Sequence, residues 1–265
     1  MAITTLDQYI AAASQRVQIL KTGSVTAVAL MNTQVLQAAG NPGAGTLAGA
    51  NTANGLVPTD ADAGFPAINA FGGGATGYIG NITFGNTVTS RITLFDCLFK
   101  AGAYAFNANT TLASQPSYSG RVIGGTDFTN TEIWIEAVTA FTGNQSIAVT
   151  YTNQSGTAAR TTGTIATGVA PIVGRMLQLP LQAGDTGVQK IEPVVSTVST
   201  VGTFNVLVLR RLWSGRVPVA NSGDVHDFLK TGMPQIFADS ALMAIVQPDS
   251  TATGIFELVA EVING

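Results

Sequence analysis

The sequence predicts a mainly β protein: an antiparallel β-sandwich, jelly-roll-like, with an N-terminal helix, a long irregular arm and one short helix in the C-terminal half. Three observations support this fold class. Short runs alternate apolar and polar residues with a period of two, turn residues such as Asn153-Gln154-Ser155-Gly156 separate them, and helical spacing is rare. Strands of this kind bury their apolar faces by packing sheet on sheet.

Residues 1–39 are predicted to form an N-terminal helical segment, with the helix itself over Thr5 to Leu20. Apolar residues recur at helical spacing through this stretch, and Thr5 with Gln8 matches a capping box, in which the two side chains satisfy free backbone N–H groups. Such an amphipathic helix either packs on its own domain or lies against a neighbouring subunit.

Residues 40–77 are predicted to form an extended, irregular arm, because they contain ten Gly and three Pro and show no sustained period. Apolar residues distinguish this arm from a disordered tail. One hypothesis is that the arm docks on a partner subunit, and the other is that it covers the chain's own core. On the first hypothesis the candidate interface residues are Leu47, Leu56, Val57, Phe65, Ile68 and Phe71.

Residues 78–265 are predicted to form the β-sandwich domain, because apolar and polar residues alternate there in strand after strand. The predicted strands are Tyr78–Phe84, Arg91–Phe99, Glu132–Ala137, Ile147–Thr152, Val188–Val195, Phe204–Leu212, Ala241–Gln247 and Phe256–Val262.

One further helix is predicted near residue 228, where it would seal one end of the sandwich. Ser222 or Asp224 caps its start, Gly232 ends it, and Pro234 prevents it from resuming. Lys230 lies in the last turn, where a cation is favourable. The residues expected to face inward are Val225, Phe228 and Leu229.

Few charged residues are available for chemistry. Only 10% of the residues are charged, against 46% hydrophobic, and the chain has one His and one Cys. Acid–base catalysis, transition-metal sites and disulfide frameworks all draw on residues that are scarce here. A surface this poor in charge suits permanent contacts with other proteins, as in oligomers and lattices. The alternative is an unusually uncharged monomer.

Nucleic acid and membranes are not expected partners. A net charge of −3 and a pI near 5.0 do not favour binding to phosphates, and adjacent Arg210 and Arg211 would point to opposite faces of a strand. No apolar run approaches the roughly 20 residues of a spanning helix. The first residues do not resemble a secretory signal, and a single Cys suits a reducing cytoplasm, so a soluble or assembled protein is expected.

The reactive residue types each have a structural explanation. His226, between Asp224 and Asp227, could be oriented as a base or a ligand, but a solvated His at a helix start is favoured. Cys97 is expected to be a buried, inert thiol. Asp96 interrupts a buried strand, which a hydrogen-bonded structural carboxylate or an interface ion pair would explain.

Three other patterns are weighed in the same way. Asp60 and Asp62 resemble the opening of a calcium loop but lack its later ligands. The glycines from Gly72 to Gly77 are expected to form a turn or hinge rather than a phosphate cradle. Glu132 and Glu136, with Trp134 between them, could form a sugar-binding strip, but solvated outer-face residues are favoured. We therefore predict no catalytic, cofactor-binding or metal-binding residues.

Several features together resemble a known group of proteins: the opening MAITTLDQYIAAASQ, the Gly/Ala/Asn-rich arm, the Thr-rich strands and the closing stretch DFLKTGMPQIFADSALMAIVQPDSTATGIFELVAEVING. Over nearly the whole chain they resemble tailed-bacteriophage virion structural proteins of the head decoration or minor capsid type. The resemblance implies a non-enzymatic β-sandwich module, made in the bacterial cytoplasm, that coats or cements an icosahedral shell as a dimer or trimer. Its partners would be the major capsid protein or other virion proteins, without a cofactor.

Two other functions stay open. The chain could be a tail-associated protein that binds a receptor glycan on an aromatic strip such as Trp134 or Tyr151. A hydrolase using Asp96, Glu132, Glu136 or His226 is the least favoured function.

Overall fold

Three antiparallel sheets form the fold in a computed structural model of the chain. The structure describes residues 3–46, 53–73, 75–106, 109–112, 114–141, 144, 146–166, 168, 172–196 and 201–265. All strand pairings among them are antiparallel. The predicted fold class, a mainly β antiparallel sandwich, is confirmed.

Sixteen strands and two α-helices lie in the described residues. The strands are β1 (Ala13–Lys21), β2 (Thr33–Gln34), β3 (Gly40–Asn41), β4 (Gly77–Asn86), β5 (Ser90–Ala105), β6 (Thr131–Ala137), β7 (Ser146–Asn153), β8 (Arg160–Thr161), β9 (Ile165–Ala166), β10 (Met176–Leu179), β11 (Val188–Ser196), β12 (Thr203–Val217), β13 (Ser222–His226), β14 (Gln235–Ile236), β15 (Leu242–Pro248) and β16 (Phe256–Asn264). The helices are α1 (Leu6–Ala11) and α2 (Phe228–Thr231), and Ser119–Arg121 forms one 3-10 turn.

The sheets differ in size and strand order. The first sheet has the order β13-β4-β16-β1-β3, and β14 continues the edge that β13 forms along β4. The central sheet has the order β10-β6-β12-β5-β15-β2. The third sheet has the order β11-β7-β8, with β9 also paired to β7. The eight strands that the sequence predicts are all present, and several are longer than predicted.

Two apolar cores lie side by side on one face of the central sheet. The first core fills the space between the first and central sheets, where Ile82 and Phe84 meet Leu94. The second core fills the space between the third and central sheets, where Val149 meets Val206. We call this doubly covered side the inner face of the central sheet. A third cluster, which includes Phe95, Leu207, Met243, Leu36 and Phe65, buries much of its outer face.

The predicted helix from Thr5 to Leu20 is wrong beyond its first turns. Helix α1 begins as predicted, with the Thr5 and Gln8 capping box in place, but it ends at Ala11. The chain then forms β1, which pairs with β16 from Ala13 opposite Asn264 to Leu20 opposite Glu257. The spacing of apolar residues here is compatible with a helix, but the segment forms a strand because β16 supplies hydrogen-bond partners for its backbone. Such tertiary pairing overrides local helix propensity. The division into residues 1–39, 40–77 and 78–265 stays a prediction, and β1 joins the first of these to a strand of the last.

The predicted helix near residue 228 is shorter and starts later than expected. Residues Ser222 to His226 form strand β13, so neither Ser222 nor Asp224 caps a helix. The cap is Asp227, whose side chain accepts a hydrogen bond from the Lys230 backbone N–H. Gly232 ends the helix as predicted, in the left-handed conformation with φ of 68°. Two of the residues expected to face inward, Val225 and Leu229, are exposed.

The first core should be sensitive to loss of volume. Replacing fully buried Ile82 by Ala removes three carbon atoms from a packed site, and we expect a loss of about 2–5 kcal/mol in the free energy of unfolding. Val219→Ala, at an exposed position, should change it by less than about 0.5 kcal/mol. Chemical denaturation of the two variants measures the difference, and equal midpoints would contradict this view of the core.

Candidate interaction surfaces

The predicted interface residues of the arm mostly pack on the chain itself. Phe65 and Ile68 are buried, and Val57 and Phe71 pack against the second and first cores. Leu56 exchanges two backbone hydrogen bonds with Lys100 of β5, at 2.9 and 3.0 Å. The sixth predicted residue, Leu47, lies outside the described residues. The arm therefore packs as expected if it covers the chain's own core. A contact between the arm and a partner subunit stays a prediction.

Asp96 lies at the seam between the two cores on the inner face of the central sheet. Its fully buried carboxylate forms ion pairs with Arg121 and with Arg210, the latter at 3.2 Å. It also accepts hydrogen bonds from the Ser240 hydroxyl at 2.8 Å and the Ala241 backbone N–H at 3.1 Å. A buried carboxylate with this many donors has its desolvation offset. The prediction of a hydrogen-bonded structural carboxylate is confirmed.

The two arginines extend this network into other parts of the fold. Arg121, in the 3-10 turn, donates to the carbonyl oxygens of Pro58 in the arm and Cys97 in β5. Arg210 lies 5.3 Å from the centre of the Phe237 ring, and burial lowers the pKa of its guanidinium although Asp96 opposes that shift. Sequence reasoning missed Arg121, because a counter-ion from a turn 25 residues away leaves no local pattern.

The strip of Glu132, Trp134 and Glu136 is not an open sugar-binding surface. The alternative prediction, that these are solvated residues on an outer face, is also wrong. Glu136 is fully buried, pairs with Lys100 at 3.1 Å and accepts from Asn205 at 2.7 Å. Trp134 is buried, and its indole N–H donates to Glu132 at 2.8 Å. Since Trp134 cannot present its face to a sugar, this part of the glycan hypothesis does not hold.

Tyr151 is also buried and unavailable to a glycan. Its hydroxyl donates to the Asp185 carboxylate at 2.7 Å and accepts from the Gln182 backbone N–H at 2.8 Å. Arg160 and Asn153 complete the hydrogen bonds to Asp185. These donors, Arg160 first, lower the pKa of Asp185 to about 2. The cluster fixes one end of the third sheet rather than presenting a ligand site.

His226 and Cys97 have structural environments. His226 is on strand β13 rather than at a helix start, and its Nδ1 accepts a hydrogen bond from the Trp213 indole at 3.0 Å. Its Nε2 lies 3.5 Å from an Asp224 carboxylate oxygen. Cys97 is fully buried as predicted, and burial raises the pKa of its thiol to about 12.

The arm carboxylates organise the loop rather than gathering around an ion. Asp60 accepts from the Ile68 backbone N–H at 2.9 Å, and Asp62 accepts from the Thr59 backbone N–H at 2.8 Å. Among the described residues, no three His, Cys, Asp or Glu side chains gather in a way that could hold a metal ion. Neither described helix is long and apolar enough to cross a membrane.

An exposed apolar surface lies on the outer side of the first sheet, where the two helices meet. Tyr9 of α1 packs on Phe228 of α2 with ring centres 5.1 Å apart, and it covers Gly80 of β4. A helix of six residues is only about 9 Å long, so all of α1 lies close to this contact. We call the exposed apolar residues of the two helices the helix patch. They are Leu6 and Ile10 of α1 and Leu229 of α2, which are 58%, 71% and 77% exposed.

The helix patch has an acidic border. The carboxylates of Glu261 and Asp227 lie near Tyr9. Burial is the main cause that raises the pKa of the Tyr9 hydroxyl, and these two negative charges raise it further. Asp7 is exposed on α1. Among the described residues, none of these three carboxylates forms an ion pair, although Arg16 lies opposite Glu261 in the ladder.

A basic surface lies on the outer face of the central sheet, facing away from the first sheet. Arg216, Arg91 and Gln247 stand opposite one another on β12, β5 and β15, and we call them the arginine row. They line an open depression of about 230 Å3 with Leu30 and Asp249. Neither arginine has an ion-pair partner within the described part of the chain. Sequence reasoning missed the row because cross-strand register brings together residues 125 positions apart.

The Asp96 network should be intolerant of charge loss. Asp96→Asn leaves Arg121 and Arg210 buried without a counter-ion, and we expect a loss of about 3–5 kcal/mol in the free energy of unfolding. Glu257→Gln removes an exposed carboxylate and should cost less than about 0.5 kcal/mol. Denaturant titrations compare the two, and a small effect at Asp96 would show that the network is dispensable.

The Asp185 cluster should give the protein a dependence on acid. Since the pKa of Asp185 is lowered to about 2, its stabilising effect is complete above its unfolded pKa near 4 and is lost as the pH falls towards 2. Asp185→Asn should therefore be less stable than the wild type at pH 6, with the gap narrowing between about pH 4 and pH 2. Thermal unfolding across this range measures the gap, with Asp239→Asn, at an exposed site, as control. A pH-independent gap would contradict the assignment.

Comparison with known proteins gives only distant likeness. No protein-family model and no curated protein sequence matches the chain. Among solved structures, the VP2 subviral particle of infectious bursal disease virus aligns with 96% of this chain and 80% of its own, at 12% identity and a TM-score of 0.21. The structure of the Gx strain of that virus aligns with 96% of this chain and 80% of its own, at 10% identity and a TM-score of 0.17. T=1 particles derived from infectious bursal virus align with 95% of this chain and 76% of their own, at 10% identity and a TM-score of 0.18. TM-scores near 0.2 do not establish a shared fold.

Proposed function

We propose that this chain is a non-enzymatic virion structural protein that acts through contacts between protein surfaces. Its role, in this proposal, is that of a decoration or cement protein on the head of a tailed bacteriophage. Its partners are the major capsid protein or other virion proteins, together with further copies of itself, and it is located in the virion.

The observation that carries this proposal is the helix patch. Leu6, Ile10 and Leu229 expose apolar surface on two short helices, and α1 contains no buried residue. A six-residue helix is too short to be stable from its own hydrogen bonds, so contact with a partner would stabilise it. Exposed apolar surface of this kind is typical of a protein interaction site.

The absence of enzymatic activity is part of the proposal, and the engagement of the reactive side chains supports it. Asp96, Glu136 and Asp185 are occupied by ion pairs that hold sheets and turns together. His226 accepts a hydrogen bond from Trp213, and the buried Cys97 thiol is protonated at neutral pH. General acid–base or nucleophilic catalysis requires such groups to face a substrate.

The location of the protein distinguishes a head role from a tail role. We expect antibodies against the folded chain to label the shells of purified virions in electron micrographs, in many copies per particle. Label confined to tails would replace the decoration role by the tail-associated alternative. Recovery of all the protein outside virions would contradict a virion role altogether.

Removing the helix tests how the protein attaches. Deleting residues 1–12 removes α1 but keeps β1, whereas a longer deletion would also take a strand out of the first sheet. We expect the shortened chain to fold, by circular dichroism, and to lose at least about tenfold in affinity for virion shells lacking this protein, in line with the loss of a hydrophobic interface centre. Val201→Lys, an exposed site elsewhere, is the control. Unchanged attachment would exclude α1 from the interface.

A further inference from the structure

We propose that the helix patch of one copy of this chain docks on the arginine row of the next copy. This contact rests on the proposed function and names the next copy on the shell as the partner of the helix patch. Deleting α1 then weakens attachment to shells because neighbouring copies no longer hold one another there. The two surfaces differ in chemistry, which makes the contact head-to-tail rather than self-complementary.

The first argument is charge. Arg91 and Arg216 face each other directly across two strands, an arrangement that destabilises a sheet when the charges are alike. Both are exposed and have no ion-pair partner among the described residues. Asp249 at the border of the depression is the one carboxylate in the described part of the chain that lines it. Carboxylates from outside the described fold would relieve the repulsion between the arginines.

The helix patch supplies such carboxylates. Asp7, Asp227 and Glu261 border it without ion pairs of their own in the described residues, and Lys230 nearby is directed towards Asp224 at 3.9 Å. The acidic border of one surface thus complements the unpaired arginines of the other. Complementary charge of this kind selects and orients partners at an interface.

The second argument is shape and apolar contact. Leu30 stands at the depression with its side chain 68% exposed and its backbone in the left-handed region, with φ of 63°. Leucine is strained there, yet hydrogen bonds from its own N–H to Pro248 and from the Gln247 amide to its carbonyl hold it in place. An exposed, fixed leucine beside the arginines matches the apolar centre of the helix patch.

The third argument is the placement of the surfaces. Ile92 and Val217 point into the first core, so the neighbouring Arg91 and Arg216 point out of the central sheet on the opposite side. Helix α1 lies over Gly80 on the outer side of the first sheet. The two surfaces therefore face in opposite directions, and one copy can stack on another. A contact of this kind closes into a ring or continues as an array.

A mixing experiment tests this contact. Ile10→Lys with Leu229→Lys disables the helix patch, and Arg91→Glu with Arg216→Glu disables the arginine row, all at exposed sites. We expect the wild type to associate with increasing concentration in analytical ultracentrifugation, less so at high salt. Each double variant alone should associate at least about tenfold more weakly. An equimolar mixture should form a dimer and stop there, because only one intact pair of surfaces remains.

Two control variants and three contrary results complete this test. Val201→Lys and Lys190→Glu make the same kinds of charge change, once each rather than twice, at exposed sites elsewhere, and both should associate like the wild type. A row variant that assembles normally, or a mixture that stays monomeric, would overturn the head-to-tail contact. A monomeric wild type that still labels virions would overturn this inference alone, whereas self-association without virion labelling would overturn the proposed function alone.

Discussion

The fold depends on a buried carboxylate at the junction of its two cores. The first and third sheets both cover the inner face of the central sheet, and between them Asp96 meets Arg121 and Arg210. Through these partners it ties β5 to β12, to the 3-10 turn, to the segment before β15 and, by way of Arg121, to the arm. Removing one partner would leave a buried charge uncompensated, which is strongly destabilising. The network therefore fixes how the two cores lie relative to each other.

This use of charge inside the fold explains the character of its outside. Lys100 and Glu136 form a second buried pair on the other face of the central sheet, and Asp185, in the turn before β11, is similarly paired with Arg160 at the end of the third sheet. A chain with few charges that places several of them in its interior keeps few for its surface. The helix patch and the arginine row, whose arginines have no ion-pair partner among the described residues, therefore stand out on this surface, and the proposed assembly relies on both.

The sequence was informative where a structure follows from local patterns. Period-two alternation located all eight predicted strands, and the capping box and Gly232 marked a true helix start and a true helix end. It misled where distant pairing decides the outcome, as when β16 turned residues 13–21 into a strand. It could not show that the central sheet is buried on both faces, which is why Glu132 and Glu136 seemed to be solvated. Cross-strand register, which creates the arginine row, has no signature in a single sequence.

The pairing of β1 with β16 has a consequence for synthesis of the protein. Residues 13–21 leave the ribosome long before residues 256–264, and at about 5–20 residues per second the interval is roughly 10–50 seconds. Throughout that time Val17 and Ile19 lack the neighbouring strand that helps to bury them. Exposed apolar residues on an unpaired strand favour aggregation of the nascent chain. We therefore expect the yield of folded protein in a cell to depend on chaperones that bind residues 13–21 until β16 has been made.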